Sequence, residues 1–297
     1  MARLNFEGVY VPNVTPFDDR GEIQYLALKE LIDFWINAGV SGIVVNASTG
    51  ESPYLSREEL IEVLGFVVDE LDGRVQVIAG TGTMATRETI ELTLDAKDAG
   101  AEAILITTPF FFRPTEEELY QHYAAVLSAV EIPAILYNVP KFTGYSIAPK
   151  TISRIAADCS NLAGVKDSSG NPGNMAEIIR LCGDRIACLS GAADMFLPTL
   201  NLGGKGAILA IANVIPGTCV ELFEAFIHGD VATAGKRQRT ASHINNVLVT
   251  SFPQVAAIKA TLNDLGYKAG VPRRPLLPLT KTQVDAVSEA LKSTKLY

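Results

Sequence analysis

The stretch Asn161-Leu-Ala-Gly-Val-Lys-Asp-Ser-Ser-Gly170 contains the unit that decides the fold, a short apolar run followed at once by a polar turn. The run does not alternate polar and apolar residues, which is typical of a parallel strand covered on both faces. Lys166 ends the run. An amine at the end of a buried strand costs desolvation energy, and burial lowers its pKa. Lys166 is therefore either a lysine whose stem reaches out to water or one placed there for its chemistry.

Seven further apolar runs occur along the chain, and amphipathic stretches separate most of them. The eight predicted strands cover 9–14, 42–46, 76–79, 103–107, 134–138, 163–166, 187–190 and 206–211. The predicted helices between them cover 26–37, 57–70, 87–99, 116–129, 149–157 and 175–181. Ser56 and Thr86 are suitable N-caps for two of these helices, because acidic residues follow in the first turn. Eight strand–helix units over about 215 residues favour an α/β fold, a (β/α)8 TIM barrel, over an open sheet.

After residue 215 the strand pattern stops, and helical patterns cover 217–228, 231–249, 254–265 and 281–291. We therefore predict two parts: a TIM barrel over 1–215 that holds the active site, and a C-terminal helical extension over 216–297 that packs on the barrel. Active sites of such barrels lie at the carboxyl ends of the strands. The residues that follow each predicted strand are thus the candidates for function.

Composition and charge exclude several classes of function. The 297 residues are 48% hydrophobic and 20% charged, and the formal net charge of -8 argues against nucleic acid or an anionic membrane as the main partner. The four cysteines form no Cys-x-x-Cys pair, as expected in a reducing compartment. We find no signal-peptide pattern and no apolar run long enough to span a membrane, so we expect a cytoplasmic protein. His122, His228 and His243 fall on separate predicted helices, and we expect no metal.

Gly80-Thr-Gly-Thr-Met-Ala85 matches the GxGxxA fingerprint of dinucleotide-binding proteins. That fingerprint requires an acidic residue at the end of the next strand to hold the ribose. Here the next strand ends in Thr107-Thr-Pro109. The two glycines therefore predict a tight strand-to-helix turn rather than a nucleotide site.

Three strand ends carry residues that suit one reaction together. Ser48 and Thr49 lie in a turn with Gly50, where backbone N–H groups can hold a carboxylate. Tyr137 ends the fifth strand and can move protons at a barrel mouth. Each has an ordinary alternative: a capped turn, a packing tyrosine, or a lysine that reaches solvent. In combination they predict that Lys166 forms an imine with a 2-oxo acid whose carboxylate the turn holds.

At this point the chain resembles the dihydrodipicolinate synthase / N-acetylneuraminate lyase family of Schiff-base-forming pyruvate aldolases. The resemblance runs through nearly the whole chain, and these motifs carry it: Val14-Thr-Pro16, Ser48-Thr-Gly-Glu51, Ala79-Gly-Thr-Gly82, Tyr137-Asn-Val-Pro140, Val165-Lys-Asp167, Leu189-Ser-Gly191 and Ala212-Asn213. It implies that Lys166 is the imine lysine and that Tyr137 is the acid/base. Ser48 and Thr49 would bind the pyruvate carboxylate, with Ser48 also in the proton relay.

The resemblance further implies that Gly191 and Ile208 line the pyruvate pocket through backbone atoms. It implies no metal and no organic cofactor, because the covalent Schiff base through Lys166 replaces one. It also implies a homotetramer built as a dimer of dimers.

Two departures from the family pattern bear on the second substrate. The synthases of the family carry an arginine for the carboxylate of the aldehyde, and here that position is Phe142. Loss of such a charge-assisted contact should cost a few kcal/mol. They also carry a tyrosine pair, one member of which completes the relay across a subunit interface. Here the pair is Phe110-Phe111, which has no hydroxyl.

We therefore expect a pyruvate-dependent aldolase that cleaves or forms a 2-keto-3-deoxy sugar acid, or 4-hydroxy-2-oxoglutarate, from pyruvate and an aldehyde. Phe142, Thr143 and Asp194 are the candidate residues for binding the second substrate. One alternative is a 4-hydroxy-tetrahydrodipicolinate (dihydrodipicolinate) synthase, which condenses pyruvate with aspartate semialdehyde. The other is a non-catalytic barrel that binds a 2-oxo acid.

Overall fold

Eight parallel strands close into a barrel in the computed structural model of the chain, which describes residues 5–294. Each strand pairs with its neighbours in sequence, and the last strand pairs with the first. In chain order the strands are β1 Gly8–Pro12, β2 Gly42–Val45, β3 Gln76–Gly80, β4 Ala103–Thr107, β5 Ala134–Asn138, β6 Leu162–Asp167, β7 Ala187–Ser190 and β8 Gly206–Ile208. The predicted (β/α)8 TIM barrel is confirmed.

Helices cover the outside of the barrel and form most of the chain after β8. They are α1 Tyr25–Asn37, α2 Arg57–Leu71, α3 Thr86–Asp98, α4 Glu116–Ala129, α5 Pro140–Thr143, α6 Pro149–Asp158, α7 Pro172–Cys182, α8 Phe196–Asn201, α9 Pro216–Ile227, α10 Val231–Asn245, α11 Gln254–Asp264 and α12 Lys281–Leu291. A π-helical turn, Asn246–Ser251, extends α10. The short α5 and α8 were not predicted, because a helix of one or two turns contains too little of the 3.6-residue period.

The two predicted N-caps differ in outcome. Ser56 caps α2 as predicted: its Oγ accepts from the Glu59 N–H at 3.2 Å, and the Glu59 carboxylate accepts from the Ser56 N–H at 2.8 Å. The prediction for Thr86 was wrong, because Ala85 is the N-cap of α3 and Thr86 is its first helical residue. The Thr86 hydroxyl lies 2.9 Å from Nδ1 of His122 instead. The contact with His122 thus replaces the capping interaction that the local sequence predicted for Thr86.

The glycines of the GxGxxA stretch permit close approach of backbone segments at the barrel mouth. A Cβ on Gly80 would lie 2.1 Å from the carbonyl oxygen of Asn46. A Cβ on Gly82 would lie 2.3 Å from the backbone nitrogen of Thr107. Side chains at either position would collide with backbone, so both positions favour glycine because of this close approach. The tight turn itself stays a prediction.

The last strand is shorter than predicted, since β8 ends at Ile208 and Ala210–Asn213 form a 3-10 turn. An apolar run that continues into a turn looks like strand in the sequence. Helix α9 then packs against β1 and α10, in the position of the helix that follows the eighth strand. The division after residue 215 stays a prediction, and residues 1–4 and 295–297 of its two parts lie outside the described residues. Within 5–294, no helix is both long and apolar enough to cross a membrane.

Candidate active site

Lys166 and Tyr137 lie side by side at the carboxyl ends of β6 and β5. The strand register pairs them directly, and Nζ of Lys166 lies 3.9 Å from the centroid of the Tyr137 ring. Lys166 is only 4% exposed, so its amine does not reach bulk water. Burial lowers the pKa of Lys166, and the contact with Tyr137 opposes that shift. A lowered pKa raises the fraction of neutral amine, which is the nucleophilic form.

Asp167 follows the lysine, and its carboxylate contacts side chains from the end of β5, from the turn after β6 and from α7. It accepts hydrogen bonds from Nδ2 of Asn138 at 2.5 Å, from Oγ of Ser169 at 2.6 Å and from Nδ2 of Asn174 at 3.3 Å. Asn138 is paired with Asp167 in the strand register. These contacts fix the strand end that carries Lys166 without placing a counter-ion on its amine.

Gly191 lies at the start of the turn after β7 and passes close to Lys166. A Cβ at this position would lie 1.9 Å from Oγ of Ser168 and 3.1 Å from Cε of Lys166. A side chain there would displace the Ser168 hydroxyl and press on the aliphatic stem of Lys166. Among the described residues, Oγ of Ser168 is buried and has no hydrogen-bond partner. Ser168 follows the sixth strand and so lies among the residues that the strand pattern marks as candidates, but its residue type alone predicts no role. A buried hydroxyl without a partner is unfavourable unless a ligand supplies one.

The Ser48–Thr49 turn is a 3-10 helix, Ser48–Gly50, that follows β2. The Gly50 N–H donates to the Ala47 carbonyl at 3.0 Å, and the Gly50 carbonyl accepts from Oγ1 of Thr15 at 2.8 Å. Thr49 is 4% exposed, while Ser48 is half-buried. Oγ1 of Thr49 accepts from Nε2 of Gln254 at 3.4 Å, so a residue from α11 reaches the turn.

A cavity of about 1250 Å³ opens between the barrel mouth and the chain after α10. Ser48, Phe142 and Thr143 line it, which brings three predicted site residues together. Phe142 is 51% exposed, while Oγ1 of Thr143 donates to the Val139 and Tyr145 carbonyls within its own turn. Further lining residues are largely apolar: Pro53, Tyr54, Met84, Phe110, Val249, Phe252, Leu276 and Leu277.

The cations that line this cavity already have partners. Nζ of Lys141 donates to the Val249 carbonyl at 2.9 Å. Arg57 pairs with Asp95 at 2.6 Å and with Glu91 at 3.3 Å. Phe142 thus brings an uncharged ring to the place where the family resemblance would have a guanidinium, and Nζ of Lys141 lies 5.6 Å from the centroid of that ring.

The last two predicted site residues lie in other surroundings. The Ile208 side chain is fully buried and packs inside the barrel with Tyr137 and Leu189, so any contact with substrate falls to its backbone. Asp194 is exposed, and its carboxylate accepts from Nδ2 of Asn245 in α10 at 3.0 Å. The roles of both residues stay predictions. Within 5–294, no three His, Cys, Asp or Glu residues form a group that can hold a metal.

Comparison with known proteins agrees with this geometry. A sequence profile of the Dihydrodipicolinate synthetase family matches residues 5–294. The 4-hydroxy-tetrahydrodipicolinate synthase of Syntrophus aciditrophicus is 40% identical over 289 residues, which cover 97% of this chain and 98% of the relative. The enzyme of the same name from Methanocaldococcus jannaschii is 38% identical over 291 residues, which cover 98% of this chain and 99% of the relative.

Solved structures agree with the sequence relatives. YagE, an Escherichia coli K12 prophage protein of the dihydrodipicolinic acid synthase family, was solved in complex with pyruvate. It superimposes with a TM-score of 0.94 at 32% identity and covers 99% of this chain and 100% of its own. The chain therefore belongs to the dihydrodipicolinate synthetase family and is an enzyme of that family.

Proposed function

We propose that this enzyme is a class I aldolase that binds pyruvate as an imine on Lys166 and joins it to, or releases it from, an aldehyde. The observation that carries the proposal is a buried lysine of lowered pKa, 3.9 Å from the ring of a strand-paired tyrosine at the barrel mouth. A desolvated amine beside an acid/base group is the arrangement that imine formation requires. The pyruvate found in YagE supports the same half of the reaction.

The proposed steps use residues of this chain. Neutral Nζ of Lys166 adds to C2 of pyruvate, and the carbinolamine loses the former carbonyl oxygen as water, which leaves the imine. Loss of a proton from C3 gives an enamine, and C3 then bonds to the aldehyde carbon while the aldehyde oxygen takes a proton. Hydrolysis of the product imine releases the product and the lysine. Tyr137 transfers the protons, and the Ser48–Thr49 turn holds the pyruvate carboxylate.

The names of the relatives favour 4-hydroxy-tetrahydrodipicolinate synthase, in which the aldehyde is aspartate semialdehyde. Both curated relatives carry this name, and each aligns over at least 97% of this chain. The comparisons therefore support this alternative better than the sugar-acid reaction that the residue pattern favoured.

The side chains of the cavity favour an uncharged aldehyde, as in the aldol cleavage of a 2-keto-3-deoxy acid. Phe142 presents a half-exposed ring where an arginine would bind a second carboxylate. Lys141 and Arg57, which also line the cavity, already have hydrogen-bond or ion-pair partners. We therefore keep this reaction as the second candidate, because a carboxylate desolvated without a cationic partner binds poorly.

Two assays test imine formation and distinguish the two candidate reactions. Borohydride reduction with pyruvate should add a stable mass to Lys166, and the absence of that adduct would refute the aldolase in either form. Rates with aspartate semialdehyde and with a panel of 2-keto-3-deoxy acids then identify the second substrate. A higher kcat/KM for condensation with the semialdehyde establishes the synthase, and a higher kcat/KM for sugar-acid cleavage establishes the other candidate.

The variant Phe142→Arg tests whether Phe142 determines which aldehyde the enzyme accepts. If Phe142 excludes a second carboxylate, the arginine should raise kcat/KM for aspartate semialdehyde by between about tenfold and about a hundredfold. Phe112→Arg is the matched control. Phe112 is 79% exposed, so this variant adds the same charge on a surface loop. Equal gains in both variants would point to a general effect of charge and not to the cavity. Assembly as a homotetramer and location in the cytoplasm stay predictions.

A further inference from the structure

Helix α11 contacts the Ser48–Thr49 turn region at two places, although it lies more than 200 residues later in the chain. At the first residue of the helix, Nε2 of Gln254 donates to Oγ1 of Thr49 at 3.4 Å. Further along, Nζ of Lys259 donates to Oε1 of Glu51 at 2.6 Å, across a separation of 208 residues. Glu51 immediately follows the 3-10 helix of the turn, so the two contacts hold both sides of Gly50.

Both carboxylate oxygens of Glu51 have partners from the C-terminal part of the chain. Lys259 bonds Oε1, and the backbone N–H of Arg273 donates to Oε2 at 2.8 Å. Lys259 also donates to the Val271 carbonyl at 2.8 Å, and its amine lies 4.5 Å from the centroid of the Phe17 ring. Glu51 and Lys259 are each about 1% exposed, so the ion pair is removed from water.

Glu51 is held in a backbone conformation that side chains rarely adopt. Its φ is +62° and its ψ is +31°, the left-handed region that favours glycine. In this conformation its N–H closes the 3-10 turn on the Ser48 carbonyl at 3.2 Å. Strain of this kind persists only where surrounding contacts over-determine it, and it occurs preferentially at functional sites.

A buried ion pair is weak as a device for stability, because desolvation offsets most of the attraction between the charges. Such a pair is better suited to fixing one conformation, since removal of either partner leaves an uncompensated buried charge. At this position the conformation that it fixes is that of the Ser48–Gly50 turn, to which the proposed function assigns the carboxylate of pyruvate.

We propose that Glu51, Lys259 and Gln254 are positioning residues that hold the Ser48–Thr49 turn in the shape that binds the carboxylate of pyruvate. This inference rests on the proposed function, because it assigns to the turn the carboxylate of the imine-forming substrate. None of the three touches the reacting atoms. Their effect passes through the backbone at Glu51 and through the hydroxyl of Thr49.

The test compares Glu51→Gln, Lys259→Met and Gln254→Ala in the full-length enzyme. A misplaced carboxylate site should raise the KM for pyruvate about tenfold in Glu51→Gln and Lys259→Met, with kcat within about threefold of wild type. The smaller change in Gln254→Ala should raise it about threefold. The pyruvate concentration that gives half-maximal borohydride trapping on Lys166 should move in parallel with KM.

Leu71→Ala is the control for a purely structural loss. Leu71 is fully buried and ends α2, at the end of the barrel opposite the mouth, because helices run back from the carboxyl ends of the strands. It should lower Tm and leave the KM for pyruvate unchanged. The double variant Glu51→Gln, Lys259→Met leaves neither charge unpaired, so it should recover Tm and not KM.

The outcomes distinguish failure of the proposed function from failure of the positioning role alone. No adduct on Lys166 in the wild type would overturn the proposed function and this inference with it. An adduct in all folded variants with an unchanged half-saturating pyruvate concentration would overturn the positioning role alone. If the buried-pair variants do not fold, Gln254→Ala decides, because Gln254 is partly exposed and its loss leaves no buried charge. An unchanged KM in that variant would then count against the inference.

Discussion

The two sides of the barrel mouth are built differently. On one side, Lys166 and Tyr137 lie on adjacent strands, and the register between β5 and β6 fixes their separation. On the other side, the cavity is walled by turns after β2, β3 and β5 and by the chain after α10. The first side has little freedom to change without breaking the barrel. The second can change its chemistry through single side chains such as Phe142, which is how one fold serves several aldehydes.

The largest expected effect falls on the strand side. Lys166→Ala should lower kcat/KM by on the order of 10⁴-fold or more, because it removes the amine that lies over the Tyr137 ring and that we propose forms the imine. Intact-mass measurement after borohydride reduction with pyruvate checks it. Lys141→Ala removes a second lysine at the mouth and should keep the adduct. An equal adduct on the Lys166 variant would show that Lys166 is not the residue that forms the imine.

Tyr137→Phe comes next. Loss of the hydroxyl should lower kcat by about 10²–10⁴-fold with a smaller change in the KM for pyruvate, as expected for a proton-transfer group. Tyr123→Phe is a matched control: it removes a buried tyrosine hydroxyl that bonds the Ile106 carbonyl at 3.5 Å. Steady-state kinetics at saturating pyruvate measure both. If the two variants lose activity equally, Tyr137 has only a packing role.

A pH effect sharpens the description of the cavity side, where α11 meets the turn after β2. Burial lowers the pKa of Lys259 to about 8, and attraction to Glu51 opposes the shift. Above that value and up to the ordinary lysine pKa, the unfolded chain binds a proton that the folded chain has released. The contribution of Lys259 to stability therefore rises with pH in that window, by at most about 1.4 kcal/mol per pH unit, and is constant below it.

Urea unfolding of wild type and Lys259→Met between pH 7 and pH 10 measures this contribution, because other titrating groups cancel in the difference. The free energy of unfolding of the wild type should gain on that of the variant as pH rises above about 8. A difference that does not vary with pH would show that Lys259 keeps its proton and that Glu51 governs the pair.

The smallest expected effect concerns two serines on the strand side. Ser168→Ala should raise the free energy of unfolding by about 1 kcal/mol, because it removes a buried hydroxyl that has no described partner. Ser190→Ala should lower it by about 1 kcal/mol, because Oγ of Ser190 donates to the Ala192 carbonyl at 2.8 Å. Equal losses in both would mean that Ser168 is bonded in solution.

The difference between the two sides also explains which predictions were confirmed. Unbroken apolar runs predicted the barrel, and the end of each run predicted which residues face the mouth, so Lys166 and Tyr137 could be found from local pattern. The second substrate could not. The residues led to a sugar acid first, whereas the relatives are named 4-hydroxy-tetrahydrodipicolinate synthase. That choice depends on how Phe142 and its neighbours shape a cavity, and spacing along a chain does not contain it.

Short-range periodicity in the sequence was enough to predict the barrel and to put Lys166 at a strand end, because burial of a strand depends on its own run of apolar residues. The motifs were enough to predict the family, which the comparisons confirm. Three features depend on contacts between distant segments and could not be predicted from local pattern: Ser168 has no partner among the described residues, Thr86 bonds His122 instead of capping α3, and Lys259 meets Glu51. The sequence shows Glu51 and Lys259 as separate residues and gives no sign that they pair. Their contact joins segments 208 residues apart, and only closure of the barrel under α11 brings the two charges together.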